Sequence, residues 1–312
     1  MRCLSLLPVT ILTLALTGLL CTPVPAATSD TANGQAQNDR ATAERNAVVF
    51  LGHCSGTLIT EFIVLTAAHC VPPELRLPRP GTTEPICAAL PDQHEMQDHA
   101  WETPDDWHLI PNQKTFSVGF GAGRENLRLA IRVRAYTIAR CADIALLQLV
   151  RRVPPALVTP MQVLTTPPEG DLHTALRQAD LRYAGWGLGN RTAKQQPRRQ
   201  TGRVSYWDHN SCLLYTLPPE RAGGARIVKG DSGSPLILRD TKRDLVAGVL
   251  FGSGLPDPLI CGVPLLRPPE RHGAYTPTFR KAIPGTDATD IAAWITRFAP
   301  DAVYPPAKPS EN

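Results

Sequence analysis

The chain has 312 residues, enough for one large domain or two modest ones. Hydrophobic residues make up 43% of it and charged residues 19%, a balance that excludes global disorder. Its net charge of +4 is too small to argue for nucleic-acid binding, and no nucleic-acid partner is expected.

Residues 1–26 read as a secretory signal. Arg2 supplies the positive start, residues 4–20 are apolar and almost uncharged apart from the break at Pro8, and Val24-Pro25-Ala26 offers small residues before a cut after Ala26. The alternative is an N-terminal membrane anchor, for which the run is about long enough; the small-residue site directly behind it favours cleavage. Cys21 would suit lipid attachment only if a small residue stood at Leu20. No second apolar run approaches spanning length, so no stable membrane span is expected once the signal is gone. The expected location is secreted or periplasmic.

Residues 27–45 are small and polar and form an N-terminal arm. From residue 46 short β-branched runs begin: Val48-Val49-Phe50-Leu51, Thr57-Leu58-Ile59 and Phe62-Ile63-Val64-Leu65. Residues 72–112 interrupt them with prolines, acids, His94, His99, His108, Trp101 and Trp107, and read as a long insertion. Strands resume at 116–120. In 127–139, Leu129, Ile131, Val133 and Ala135 alternate with Arg128, Ala130, Arg132 and Arg134, the period-two pattern of a half-buried strand with arginines outward. Further strands are expected at 144–150, 181–186, 202–207, 235–238, 245–251 and 274–279. One helix is expected, near the end, with Ile291, Trp294, Ile295 and Phe298 on one face and Asp287 or Thr286 as its cap. The domain runs over 46–299, and 300–312 is a loose Pro-rich tail. There is no internal repeat. With 31 prolines, about twice the usual share, the chain suits an all-β barrel or sandwich rather than a helical bundle.

Six cysteines remain after the signal: Cys54, Cys70, Cys87, Cys141, Cys212 and Cys261. An even number in an exported chain favours disulfides, and without a CxxC pair a zinc–thiolate site is not expected. His94 and His99, with Glu95 and Asp98 between them, read as a solvated loop rather than a metal site. No metal and no cofactor are expected.

Three segments carry chemistry. They are Thr66-Ala67-Ala68-His69-Cys70, then Asp143-Ile144-Ala145-Leu146-Leu147, then Gly230-Asp231-Ser232-Gly233-Ser234-Pro235. A serine hydroxyl needs an adjacent base, an imidazole titrates in the right range, and a carboxylate fixes the imidazole's tautomer. Ser232 stands close to glycines that permit a sharp turn, and the amides of Gly230 and Ser232 are placed to converge on one oxyanion.

These residues resemble the trypsin/chymotrypsin-like serine peptidase family. Supporting segments are Ala184-Gly185-Trp186-Gly187, the run from Gly248 through Val249, Leu250, Phe251, Gly252 and Ser253 to Gly254, and Gly273-Ala274-Tyr275-Thr276. The Gly-Asp-Ser-Gly-Ser-Pro variant and the insert-poor second half resemble secreted, bacterial-type members. The resemblance implies two packed six-stranded antiparallel β-barrels with a short C-terminal helix. It implies His69 as general base, Asp143 as its partner, Ser232 as nucleophile, and Gly230 and Ser232 as oxyanion donors. A monomer acting on protein or peptide substrates is expected, a serine-type endopeptidase working through an acyl-enzyme.

The family bridges the cysteines matching Cys54 and Cys70. For the rest, a Cys87–Cys141 pair would pin the insertion beside the acid and leave Cys212 with Cys261; six cysteines by themselves allow fifteen connectivities. The chain also departs from the family pattern. Val228 replaces a usual cysteine. Arg226 falls where the floor of the specificity pocket is expected, with Gly252 and Gly273 as walls. Leu250 replaces a serine that usually touches the acid. No activation start of the Ile-Val-Gly-Gly kind is present to pair an amine with Asp231. These departures define the competing class, a non-catalytic or zymogen-like peptidase fold acting as a binding or regulatory module. A hydrolase of esters or of one narrow peptide sequence is a third.

Overall fold

The computed structural model describes residues 46–75, 106–121, 127–187, 200–217, 227–240, 243–252, 272–284 and 288–304. The expected signal and arm, Cys87, His94, His99, Trp101, Arg226 and Cys261 lie outside them. Seven strands form the first sheet: β1 (Val48–Phe50), β2 (Ser55–Leu58), β3 (Ile63–Thr66), β4 (His108–Leu109), β5 (Ser117–Gly121), β6 (Leu127–Ile138) and β7 (Ala145–Leu149). All pairings are antiparallel. The order β1-β2-β3-β7-β6-β5 returns to β1, so six strands close into a barrel and β4 adds along β6. Closure removes the sheet edges that would otherwise expose unpaired backbone groups.

Strand β6 makes the closure possible. Its first half pairs with β5 and its second half with β7, with a register shift between Val133 and Ala135. Such a bulge bends a strand and so turns a barrel corner. The alternation read from the sequence holds here: Ile131, Val133 and Ala135 are buried, while Arg128 and Arg134 are exposed.

The second sheet contains β8 (Gln162–Val163), β9 (Asp180–Gly185), β10 (Gln200–Val204), β11 (Tyr206–His209), β12 (Leu214–Thr216), β13 (Pro235–Arg239), β14 (Asp244–Gly252) and β15 (Gly273–Pro277). Its order is β10-β9-β13-β14-β15-β12-β11, with β8 parallel to β14. The two edge strands, β10 and β11, are separated only by Ser205, whose carbonyl accepts from Leu217 N at 2.8 Å. One run of chain therefore forms both edges of the sheet. The fold is all-β with two short helices among the described residues, α1 (Leu172–Gln178) and α2 (Ile291–Phe298).

Five details differ from the sequence reading. The single strand expected at 202–207 is two strands broken at Ser205, and β4, β8 and β12 were not anticipated because two or three residues carry no period. The helix α1 was also missed. It buries only Leu176, so its periodicity is faint, and its signal is the cap, in which Asp171 accepts from Thr174 N at 2.8 Å. The cap of α2 is Asp290, which accepts from Ala293 N at 2.9 Å, not Thr286 or Asp287, which lie outside the described residues. The described ends of the 72–112 insertion belong to the barrel: Leu75 is buried with its carbonyl accepting from Tyr136 Oη at 2.7 Å, and β4 pairs with β6. Finally, the packed chain continues past 299. Ala302 is buried, and Tyr304 N donates to Val163 O at 2.9 Å.

Helix α2 returns the end of the chain to the first barrel. Ile291, Trp294 and Ile295 join that barrel's core, and Phe298 packs edge-on against Trp107 at 5.2 Å. No helix among the described residues is long and apolar enough to cross a membrane. Removing the cap with Asp290→Ala should destabilise the protein by about 1 kcal/mol in denaturant unfolding, the usual worth of an N-cap carboxylate.

Candidate active site

His69 sits in a single 3-10 turn, Ala68–Cys70, directly after β3. The turn is closed by Cys70 N to Ala67 O at 3.1 Å and Val71 N to Ala68 O at 3.0 Å. A disulfide between Cys54 and Cys70, with Cα atoms 5.8 Å apart, ties it to the start of β2. The pairing expected for these two cysteines is present. Both sulfurs are consumed in it, so neither is a thiolate ligand beside His69. Cys141 and Cys212 are disulfide-bonded as well.

Asp143 lies between β6 and β7 and is 1% exposed. Both of its oxygens serve His69. Oδ1 accepts from the His69 backbone N–H at 2.8 Å, and Oδ2 meets ring Nδ1 at 2.7 Å. A carboxylate can only accept, so Nδ1 carries the ring proton and Nε2 is left basic. The His69 side chain is 23% exposed against 1% for its partner. One face of the pair is thus buried and anchored, and the other is open.

The loop bearing Asp143 is braced by the end of the chain, through residues that sequence reasoning missed. Arg140 N donates to Thr289 Oγ1 at 2.8 Å, Thr289 N donates to Arg140 O at 3.0 Å, and Arg280 Nη2 donates to Cys141 O at 3.2 Å. Cys141 holds φ of 55°, an uncommon conformation for a residue with a side chain. Burial pushes the Arg280 guanidinium down to about 10, still cationic at neutral pH. A lone arginine 137 residues after Asp143 offers no motif by which a sequence could reveal this contact.

Ser232 is held from the first barrel. Its carbonyl accepts from Ser55 N at 2.8 Å, and the Gly230 carbonyl accepts from Ser55 Oγ at 3.0 Å. Gly233 has φ of 82°, and a Cβ there would collide with Ser55 O and Thr66 Oγ1 and press on Ala67 N. The nucleophile loop therefore lies directly on the chain that leads into His69. Gly233 N also donates to Leu250 O, and Leu250 N to Ser234 O, each at 2.8 Å. Leu250 serves this loop through its backbone, and its side chain is fully buried in the second core. Phe251, next along β14, meets the His69 ring edge-on at 6.3 Å.

Asp231 is also 1% exposed. Its Oδ1 accepts from Gly187 N at 2.7 Å and its Oδ2 from Val228 N at 2.9 Å. A Cβ at Gly185 or Gly187 would overlap this carboxylate, which explains the glycines either side of Trp186. Burial raises Asp231 from 3.8 to about 6, although the two amides oppose the shift. Of the residues expected to shape a specificity pocket, Gly252 has nothing among the described residues within 4 Å of where a Cβ would stand. A Cβ at Gly273 would press on Ile227, Tyr275 and Thr216. Its smallness serves close packing.

A closed six-stranded barrel and an open half-barrel bring together a buried carboxylate–histidine pair and the Ser232 loop, an all-β architecture consistent with the chymotrypsin fold. Residues 108–260 match the family model for trypsin, which supports the trypsin/chymotrypsin-like serine peptidase family for that part of the chain. The matched span includes Asp143 and Ser232. His69 lies before it, and the hydrogen bonds to Asp143 join it to the matched part.

The raised Asp231 carboxyl has a consequence for stability. The native protein holds this proton more tightly than the unfolded chain does. The favourable contribution is fully present below about pH 4 and is lost as pH rises through about 6. Relative to Asp231→Asn, wild type should therefore gain stability as pH falls from about 7 to about 4, by up to about 3 kcal/mol in denaturant unfolding.

Proposed function

We propose that this protein is a secreted serine endopeptidase in which His69, Asp143 and Ser232 form the catalytic triad. The observation that carries this reading is that both oxygens of buried Asp143 are spent on His69, one on the ring and one on the backbone amide. That arrangement fixes the tautomer and orientation a general base requires.

In the proposed reaction His69 Nε2 takes the proton of Ser232 Oγ as that oxygen attacks the scissile carbonyl. The negative charge that develops on the carbonyl oxygen is received by the amides of Gly230 and Ser232. His69 then returns the proton to the leaving amine, and the acyl group stays on Ser232 until water, activated by the same imidazole, releases it. No cofactor enters these steps. The signal pattern at 1–26 and the Cys54–Cys70 bridge support an exported protein. Arg226 remains the proposed floor of the specificity pocket, where it would favour acidic side chains before the cut or fill the pocket itself, with Gly252 as a proposed wall.

Treatment with a fluorophosphonate probe should give an adduct on Ser232, and Ser232→Ala should abolish nearly all peptide cleavage. The remainder should be no more than the ~10³–10⁴-fold over water that binding and oxyanion stabilisation supply. Unchanged hydrolysis in that variant would sink the assignment, and a folded protein with neither adduct nor cleavage would favour a binding module.

The same reading extends to activation. The Asp231 carboxylate is met by two main-chain amides, which supports an oxyanion loop that does not wait for a new N-terminal amine. Protein lacking only residues 1–26 is expected to be active without further trimming. A form that stays silent until its N-terminus is cut back would overturn this.

A further inference from the structure

Away from the Ser232 site, two elements of the second sheet region bring metal-binding chemistry together. Strand β11 carries Tyr206, Asp208 and His209, and the first turn of α1 carries His173. Between Tyr206 and Asp208 the register against β12 shifts, so that Trp207 is an extra residue in the ladder. A bulge of this kind re-aims the side chains that follow it. Here Tyr206 Oη lies 2.5 Å from His209 Nδ1 and 3.3 Å from His173 Nδ1. One nitrogen from each histidine and one oxygen of Asp208 lie within 4.8 Å of one another.

We propose that His173, Asp208 and His209 form a binding site for a divalent transition-metal ion, Zn²⁺ above all. Two imidazoles and a carboxylate are a donor set that zinc accepts, leaving a fourth position open. Two zinc–ligand bonds of about 2.1 Å span at most about 4.2 Å, so the three donors close on an ion after small side-chain rotations. Both histidines are only partly buried and have room for them, whereas Asp208 is 1% exposed and fixed.

The surroundings suit a cation. Asp171, which caps α1, acts electrostatically on both His173 and His209 and gives the site a second carboxylate nearby. Arg177 is the opposing charge, felt at Tyr206. An ion here would clamp α1 onto β11. His173 lies well over thirty residues before Asp208 and His209, which explains why no spacing motif announced the set and why no metal was expected from the sequence.

The test is a titration of the purified, chelator-treated, disulfide-intact protein with Co²⁺, read by visible absorption, followed by Zn²⁺. Expected are d–d bands that saturate at one equivalent, vanish on adding one equivalent of Zn²⁺, and are lost in the His173→Ala/His209→Ala double variant. Asp208→Asn should weaken binding at least about tenfold. Because the variants alter a buried region, a second measurement uses wild-type protein alone. Zn²⁺ should protect His173 and His209 from diethylpyrocarbonate, mapped by mass spectrometry, while His108 and His272 react as before. Absent bands, bands that persist in the double variant, or unchanged labelling of His173 and His209 would each overturn the proposal. None of these readouts depends on the chemistry of Ser232.

Discussion

Ser55 is the residue on which the geometry of the site depends. It is fully buried on β2, and each of its polar groups is committed. Its N–H holds the Ser232 carbonyl, its hydroxyl donates to Gly230 O while accepting from Trp186 N at 2.8 Å, and its carbonyl accepts from Thr66 Oγ1 at 2.7 Å. One side chain thus links the first barrel, the serine loop and the end of β9. Buried polar groups are costly unless paired, so such a fully satisfied centre specifies one arrangement of the loop. Trp186 reinforces the same seam, with its indole N–H on Val48 O at 3.1 Å and its ring against Phe50 at 5.2 Å.

Two buried carboxylates stand at the site, and the protein satisfies them in different ways. Asp143 is matched to an imidazole, so its charge has a partner that can itself become charged. Asp231 has two main-chain amides and, among the described residues, no cation. Backbone dipoles offset only part of the desolvation, which is why burial still raises Asp231. Asp143 is thereby suited to hold a base, and Asp231 to hold the shape of a loop.

The acid also depends on the far end of the chain. Arg280, Thr289 and the start of α2 form a small frame that meets the loop at 140–141. Ile291 N donates to Arg280 O at 2.9 Å, so the helix start and the buried guanidinium are fixed together. The positive φ at Cys141 is held in place by this frame and by the Cys141 disulfide. Helix α2, docked on the first barrel through Trp294 and Ile295, carries the same connection into the core.

The sequence by itself determined the strands long enough to show a period, β6 above all, and the residues whose chemistry requires particular neighbours: His69 before Cys70, Asp143 ahead of β7, Ser232 among glycines. Those signals are local, because alternation, turn residues and motif spacing are properties of contiguous chain. Tertiary structure alone decided what lies across the seam. Ser55 as the link between barrels, Arg280 behind the acid, the amides of Gly187 and Val228 on Asp231, and the meeting of His173 with His209 all join residues distant in sequence. The short strands β4, β8 and β12 belong to the same class, since two or three residues have no period and exist as strands only through the neighbours they pair with. The room around Gly273 was likewise beyond the sequence: a Cβ there would meet Ile227, Tyr275 and Thr216, because the volume around a glycine is set by what folds against it.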